Sequence, residues 1–441
     1  MFAWFVSLRS NYLRRKLSRW LALFLIALFG AIALSMPYRS VAQTSLTELR
    51  GVWLTANDSQ ITRDRNRLST AVSELQQLNF NTLYPVVWNS GYALYPSATA
   101  QQAGIQPFVY RGFEGQDVLA DTINQAHQRG LLAIPWFEFG FMAPPSSELA
   151  LRHPAWLTQK RDGSKTWVGA AGEVVWLNPF HPEVQQFITN LVLEVTSNYD
   201  ADGVQFDDHT SLPNEFGYDP YTLALYKKET KKDAPANPQD PDWVKWRADK
   251  ITAFMTQLKQ QVRARKPDAI FSIAPNPYVV AYRSYLQDWL TWVRRGVADE
   301  LIVQVYRPDL QSFVQEASRP ELQEARQKIP TAVGILTGLR NRPVSIDMVQ
   351  AKVQQARARG LGFTFFFYES LWNIAAPEPS HFRLARFQWL LARPAPRAIA
   401  RSPITPVPSI ADRSVGGIGG GMGGDIEERT PARDSQWLLP P

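Results

Sequence analysis

The chain has 441 residues, 45% of them hydrophobic, with 15 Trp, 23 Phe, 15 Tyr and no Cys. That composition supports a large buried core and excludes both a disordered chain and a small disulfide-stapled one. The formal net charge of +7 is concentrated at one end, because Arg9, Arg14, Arg15, Lys16, Arg19 and Arg39 precede residue 43 with no acid among them. The remainder holds 41 basic against 40 acidic residues, a net charge of +1, and lacks the electrostatic footprint that nucleic-acid binding requires.

In chain order, Arg14-Arg15-Lys16 precedes an apolar run from Trp20 to Leu34, and Ser40-Val41-Ala42 then supplies small residues. Residues 1–42 therefore read as a secretory signal cut after Ala42, or as an uncleaved anchor, since about 20 apolar residues span a bilayer and this run is slightly short. Either way the expected location is outside the cytoplasm, in the periplasm or cell envelope, with a membrane contacted only through this segment.

From residue 43 to residue 393 a short β-branched or aromatic run alternates with an amphipathic stretch. Strands are expected at Gly51–Thr55, Thr82–Val87, Leu131–Phe137, Gly203–Asp207, Ile270–Ala274, Leu301–Tyr306, Thr331–Leu336 and Gly362–Tyr368. Helices are expected at Arg65–Leu78, Val118–Arg129, Pro182–Tyr199, Asp242–Arg265, Tyr285–Arg295, Ser312–Lys328, Ser345–Arg359 and His381–Leu391. Strands alternating with helices over about 350 residues, with no linker in the middle, predict an α/β fold, a (β/α)8 TIM barrel with inserted βα loops. Residues 394–441, rich in Pro and Gly, read as a flexible tail.

In such a barrel the chemistry lies at the C-terminal ends of the strands. Those ends carry Trp136-Phe137-Glu138, Asp207-Asp208-His209, Gln304-Val305-Tyr306-Arg307 and Glu369-Ser370-Leu371-Trp372. Paired carboxylates in an aromatic cleft are what cleavage of a glycosidic bond needs, one to protonate the leaving oxygen and one to attack or to activate water. The catalytic candidates are Asp207, Asp208, Glu138 and Glu369. Because side chains alternate along a strand, one of the adjacent pair Asp207-Asp208 points into the barrel mouth and the other braces a loop. Substrate-binding candidates are Trp88, Asn89, Tyr92, Trp136, His209, Asn276, Gln304, Tyr306, Arg307 and Trp372, rings for the C–H faces of sugars and polar groups for their hydroxyls. Trp53 fits the core better than the site.

Other chemistries are poorly served. His127, His153, His181, His209 and His381 show no His-x-His or His-Glu-x-x-His spacing, so no metal site is expected, and no cofactor is required. There is no nucleophile elbow, P-loop or dinucleotide fingerprint after a strand. None of the strand ends carries the Lys of a Schiff-base aldolase.

Arg50-Gly51-Val52-Trp53, Leu94-Tyr95-Pro96-Ser97, Trp176-Leu177-Asn178-Pro179 and Asp202-Gly203-Val204-Gln205-Phe206-Asp207-Asp208-His209 together resemble the glycosyl hydrolase-like family ten proteins over about residues 46–390. The resemblance implies an exported (β/α)8 barrel that hydrolyses bacterial envelope glycans, peptidoglycan strands foremost, with a polysaccharide as its partner. It also implies a catalytic Asp at the end of the fourth strand, which maps to Asp207. The competing reading is a glycan-binding envelope protein on the same barrel without turnover.

Overall fold

The computed structural model describes residues 48–397, except residues 57, 63, 108–114, 170–171, 340 and 373–375. The expected signal, residues 1–42, and all but the first residues of the expected tail lie outside the described residues. Among the described residues no helix is long and apolar enough to cross a membrane.

The parallel strands are β1 Arg50–Leu54, β2 Thr82–Pro85, β4 Gly203–Asp207, β5 Ile270–Ala274, β6 Glu300–Gln304, β7 Thr331–Leu336 and β8 Gly362–Phe366. Strand β3 forms in two pieces, Leu132–Ala133 and Trp136–Phe137, interrupted at Ile134-Pro135, where proline has no N–H for a ladder. The sheet runs from the first piece of β3 through β2, β1, β8, β7, β6, β5 and β4 to the second piece. Its two edges are therefore halves of one strand, and the barrel closes there: Val87 N–H donates to Trp136 O (2.9 Å) and Gln205 N–H to Pro135 O (2.8 Å). Every residue of β1, β4, β7 and β8 is buried, as parallel strands covered on both faces must be.

The helices that return the chain are α1 Arg65–Gln77, α2 Val118–Gln128, α3 Pro182–Asn198, α4 Pro241–Arg265, α5 Trp289–Arg294, α6 Leu310–Ala317, α7 Ile346–Ala358 and α8 Ser380–Leu390. Asp64, Asp117, Asp240 and Ser345 cap four of them with side-chain oxygens on the first free N–H groups. Two expected helices prove to be broken. The Tyr285–Arg295 prediction becomes Tyr278–Tyr285 and α5, because Leu286 turns left-handed (φ 57°) and Asp288 starts a new cap on Thr291 N–H. The Ser312–Lys328 prediction becomes α6 and Pro320–Ala325, because Pro320 cannot donate inside a continuous helix.

Two apolar layers result. Outward-facing strand residues such as Phe137, Phe206 and Phe271 pack under the helices. The lumen holds Trp53, Tyr84, Trp136, Ile302, Tyr306 and Phe366. Beneath them a buried polar chain crosses the barrel: Trp53 Nε1 donates to Gln205 (2.7 Å), Gln205 to Ser272 (2.9 Å), and both Ser272 and Tyr84 to Glu300 Oε1 (2.7 Å each). Arg397 closes the chain through an ion pair to Glu300 and a hydrogen bond to Thr82. The expected tail thus begins as part of the barrel: Ala395 O accepts from Asn81 (2.8 Å) and Arg397 sits in its floor.

Candidate active site

Strand parity aims the carboxylates. Gln205 points into the lumen, so Asp207, two residues on, does too, while Phe206 faces the helices. On β3 the same alternation puts Trp136 inside, Phe137 outside and Glu138 inside again. The register pairs Gln205 with Trp136 and Phe206 with Phe137, which brings Asp207 level with Glu138 at the strand ends.

Both carboxyls are only 2% exposed. Asp207 Oδ2 accepts from Trp136 Nε1 (3.2 Å) and Oδ1 from the backbone N–H of His209 (2.9 Å). The His209 ring stands beside Asp207, its Nδ1 donating to the backbone carbonyl of Glu138 (2.8 Å) and lying 3.2 Å from Asp207 Oδ1. Gly140 (φ 47°) makes this packing feasible: a Cβ there would fall 2.5 Å from the carbonyl oxygen of His209. Glu138 Oε2 accepts from Asn89 Nδ2 (2.5 Å).

Burial, and next the Asp207 charge, push the Glu138 carboxyl up to about 8. Burial also raises Asp207, to about 6, against the pull of the neighbouring His209. Burial alone would lower His209, but the Asp207 and Asp208 carboxylates outweigh it and hold the imidazole protonated, at about 10. At neutral pH the site therefore contains a protonated Glu138, an ionised Asp207 and an imidazolium beside Asp207.

Asp208 takes the bracing position. Gln304 donates to its Oδ1 (2.8 Å) and Asn276 to its Oδ2 (2.9 Å), tying the loop after β4 to β5 and β6. Tyr306, buried, feels Asp208, Asp207 and Glu138 together, in that order after its own burial. Asp207, Asp208 and His209 each offer a ligand atom within 4.8 Å of the others. All four carboxylate oxygens also accept from protein N–H groups, and Nδ1 of His209 donates to the backbone carbonyl of Glu138, so the three residues are members of one hydrogen-bond network.

Of the predicted residues, Asp207, Asp208, Glu138, Asn89, Trp136, His209, Asn276, Gln304 and Tyr306 come together. Tyr92 is half-buried on the Trp88–Asn89/Tyr92–Ala93 hairpin, against the helix-side core. Four others are placed elsewhere. Trp88 is core: its indole N–H meets Gly140 O (3.1 Å) and its ring lies 5.7 Å from Phe187 of α3. Trp372 packs edge-on to Phe387 of α8 at 5.5 Å. Arg307 turns to Glu316 of α6 (3.4 Å). Glu369 sits at the first βα loop, its backbone N–H donating to buried Asp58 (2.9 Å). The reading missed Gln287, fully buried, which donates to Asp207 O (2.8 Å). It lies in the break between two helices, where periodicity carries no signal.

The family model Glycosyl hydrolase-like 10 matches residues 48–356. The chain belongs to this family. The match runs from just before β1 into α7, so β8 and α8 complete the barrel beyond it. Glycosyl hydrolase DigH of Escherichia coli K12 is 26% identical over 311 residues, covering 61% of this chain and 68% of that protein. Glycosyl hydrolase YngK of Bacillus subtilis 168 is 25% identical over 312 residues, 64% of this chain and 59% of that protein. Among solved structures, the PgaB (BpsB) glycoside hydrolase domain from Bordetella bronchiseptica superposes with a TM-score of 0.55 at 15% identity, covering 75% of this chain and 99% of that one. Alpha-L-fucosidase isoenzyme 2 from Paenibacillus thiaminolyticus gives 0.57 at 15% identity, covering 78% and 49%. Family and fold make the chain a glycosidase on a TIM barrel.

Proposed function

We propose that this glycosidase is exported and cleaves O-glycosidic bonds in a bacterial envelope polysaccharide, peptidoglycan glycan strands foremost. Glu138 protonates the leaving oxygen, and Asp207 acts as nucleophile or base on the anomeric carbon. The observation that carries this reading is that Asp207 and Glu138 stand level at adjacent strand ends, both buried; burial raises both, Glu138 to about 8 and Asp207 to about 6, which supports an acid and a base side by side near neutral pH. Trp136 and His209 fix the Asp207 carboxylate, and Asn89 fixes the acid. Asp208, bound at both oxygens by Asn276 and Gln304, holds the loop that presents Asp207. The choice of glycan class is supported by the family resemblance and by the signal-like segment at residues 1–42.

The test incubates the full chain and its Asp207→Asn variant with purified peptidoglycan, peptide-stripped glycan strands and a panel of α- and β-glucans, following reducing ends and product masses. Removing the base should leave the fold intact and reduce cleavage by about 10²–10⁴-fold. An active Asp207→Asn enzyme ends the assignment. If both proteins sediment with a glycan and neither cleaves it, the barrel is a binding protein.

A further inference from the structure

The βα loop after β3 builds a small antiparallel sheet from Met142–Ala143, Thr166–Gly169 and Gly172–Trp176. Its register sets Trp167 opposite Val174, so alternation puts the rings of Trp167 and Trp176 on one face. The two rings meet edge to face, 6.1 Å apart at 90°. Trp176 is fully buried, its N–H on Ser211 O (2.7 Å) and its ring 6.4 Å from His209. Trp167 is only half-buried, and its ring lies across Gly169, where an added Cβ would fall 1.9 Å from Cζ3.

Beyond Trp167 stands Tyr285, at 6.4 Å and 78°, also half-buried. It ends the helix Tyr278–Tyr285, whose last carbonyls hold the loop after β4: Leu212 N–H donates to Tyr285 O (3.0 Å) and Asn214 N–H to Ser284 O (2.8 Å). Its phenol is pushed up to about 12 by burial and next by the Asp208 carboxylate. A half-open aromatic pair therefore borders the carboxylate cluster, and neither ring is needed by the chemistry assigned to Glu138 and Asp207.

We propose that Trp167 and Tyr285 form a sugar-binding platform beside the loop after β4, holding a pyranose unit of the polysaccharide next to the bond that is cleaved. A pyranose shows axial C–H groups on its faces, and an exposed indole or phenol ring covers them while leaving the equatorial hydroxyls to polar partners. The inference rests on the cleavage assigned above and makes a separate demand: the enzyme must prefer chains long enough to reach both the acid pair and the platform.

The test compares the full chain with Trp167→Ala and Trp167→Tyr on peptide-stripped glycan strands, measuring KM and, in the Asp207→Asn background, sedimentation with the same strands. The expected result is a KM and an apparent Kd raised about tenfold in Trp167→Ala, with Trp167→Tyr recovering most of both. Unchanged KM and Kd overturn the platform, and so does a Tyr variant no better than Ala, which would mean that Trp167 only pins the hairpin. If Trp167→Ala fails to fold by circular dichroism, Tyr285→Leu is judged by the same two constants. A parent protein that neither cleaves nor binds any glycan fails the functional reading itself, whereas a cleaving parent indifferent to Trp167 fails the platform alone.

Discussion

Replacing Glu138 by Gln should make the protein more stable and inactive at the same time. In the fold this carboxyl titrates at about 8, against an ordinary value of 4.5. Between those two pH values the native state keeps a proton that the unfolded chain has released, so native stability falls as pH rises through the window. At about 1.36 kcal/mol per pH unit, crossing the whole window costs the folded state about 5 kcal/mol. Glutamine keeps the size of the neutral acid and can accept from Asn89, but it has no proton to lose. Asp207, shifted in the same direction, is present in both proteins and largely cancels in the difference. The assay is urea unfolding of both proteins from pH 5 to pH 8, followed by tryptophan fluorescence. The advantage of Glu138→Gln should grow by several kcal/mol across the range, while glycan cleavage falls by about 10²–10⁴-fold. Parallel pH curves would mean that Glu138 is already ionised in the native protein, which removes it as proton donor.

Two further outcomes follow, one from the acid cluster and one from the polar chain in the barrel floor. His209→Gln removes the cation 3.2 Å from Asp207, so the acid limb of the kcat/KM profile should move up from about 6 by about 1–3 pH units; a limb that stays in place refutes the coupling. Arg397→Ala strands Glu300, which is completely buried, and should cost about 3–5 kcal/mol in urea unfolding, most of it recovered in the Arg397→Ala/Glu300→Gln double variant. A loss below about 1 kcal/mol would show that Arg397 does not hold the barrel floor.

Much of the fold was legible because its signals are local. Strand β4 begins and ends where the expected run Gly203–Asp207 does, α7 opens on Ser345, where its helix was expected to begin, and the strand-end acids Glu138 and Asp207 stand together. Parity along a strand needs only the neighbouring residues, so the sequence alone showed that one of Asp207 and Asp208 faces the mouth; that it is Asp207, and that Glu369 lies at the first βα loop, the structure decided. What the sequence left open depends on contacts between elements far apart in the chain. Trp136 meets Asp207 across 71 positions and Gln304 meets Asp208 across 96, distances at which periodicity says nothing. Trp88 and Trp372 have the composition of cleft residues, yet the helices beside them, α3 and α8, offered apolar partners and drew them into the core. Arg307 follows a strand end but finds Glu316 first. Arg397 looked like the start of a tail, and only closure of the barrel left a buried Glu300 in need of a cation. Local patterning determined the barrel and its candidate acids; tertiary packing decided which of them stand together, what braces them and which aromatic rings are drawn into the core, because those depend on contacts between distant elements.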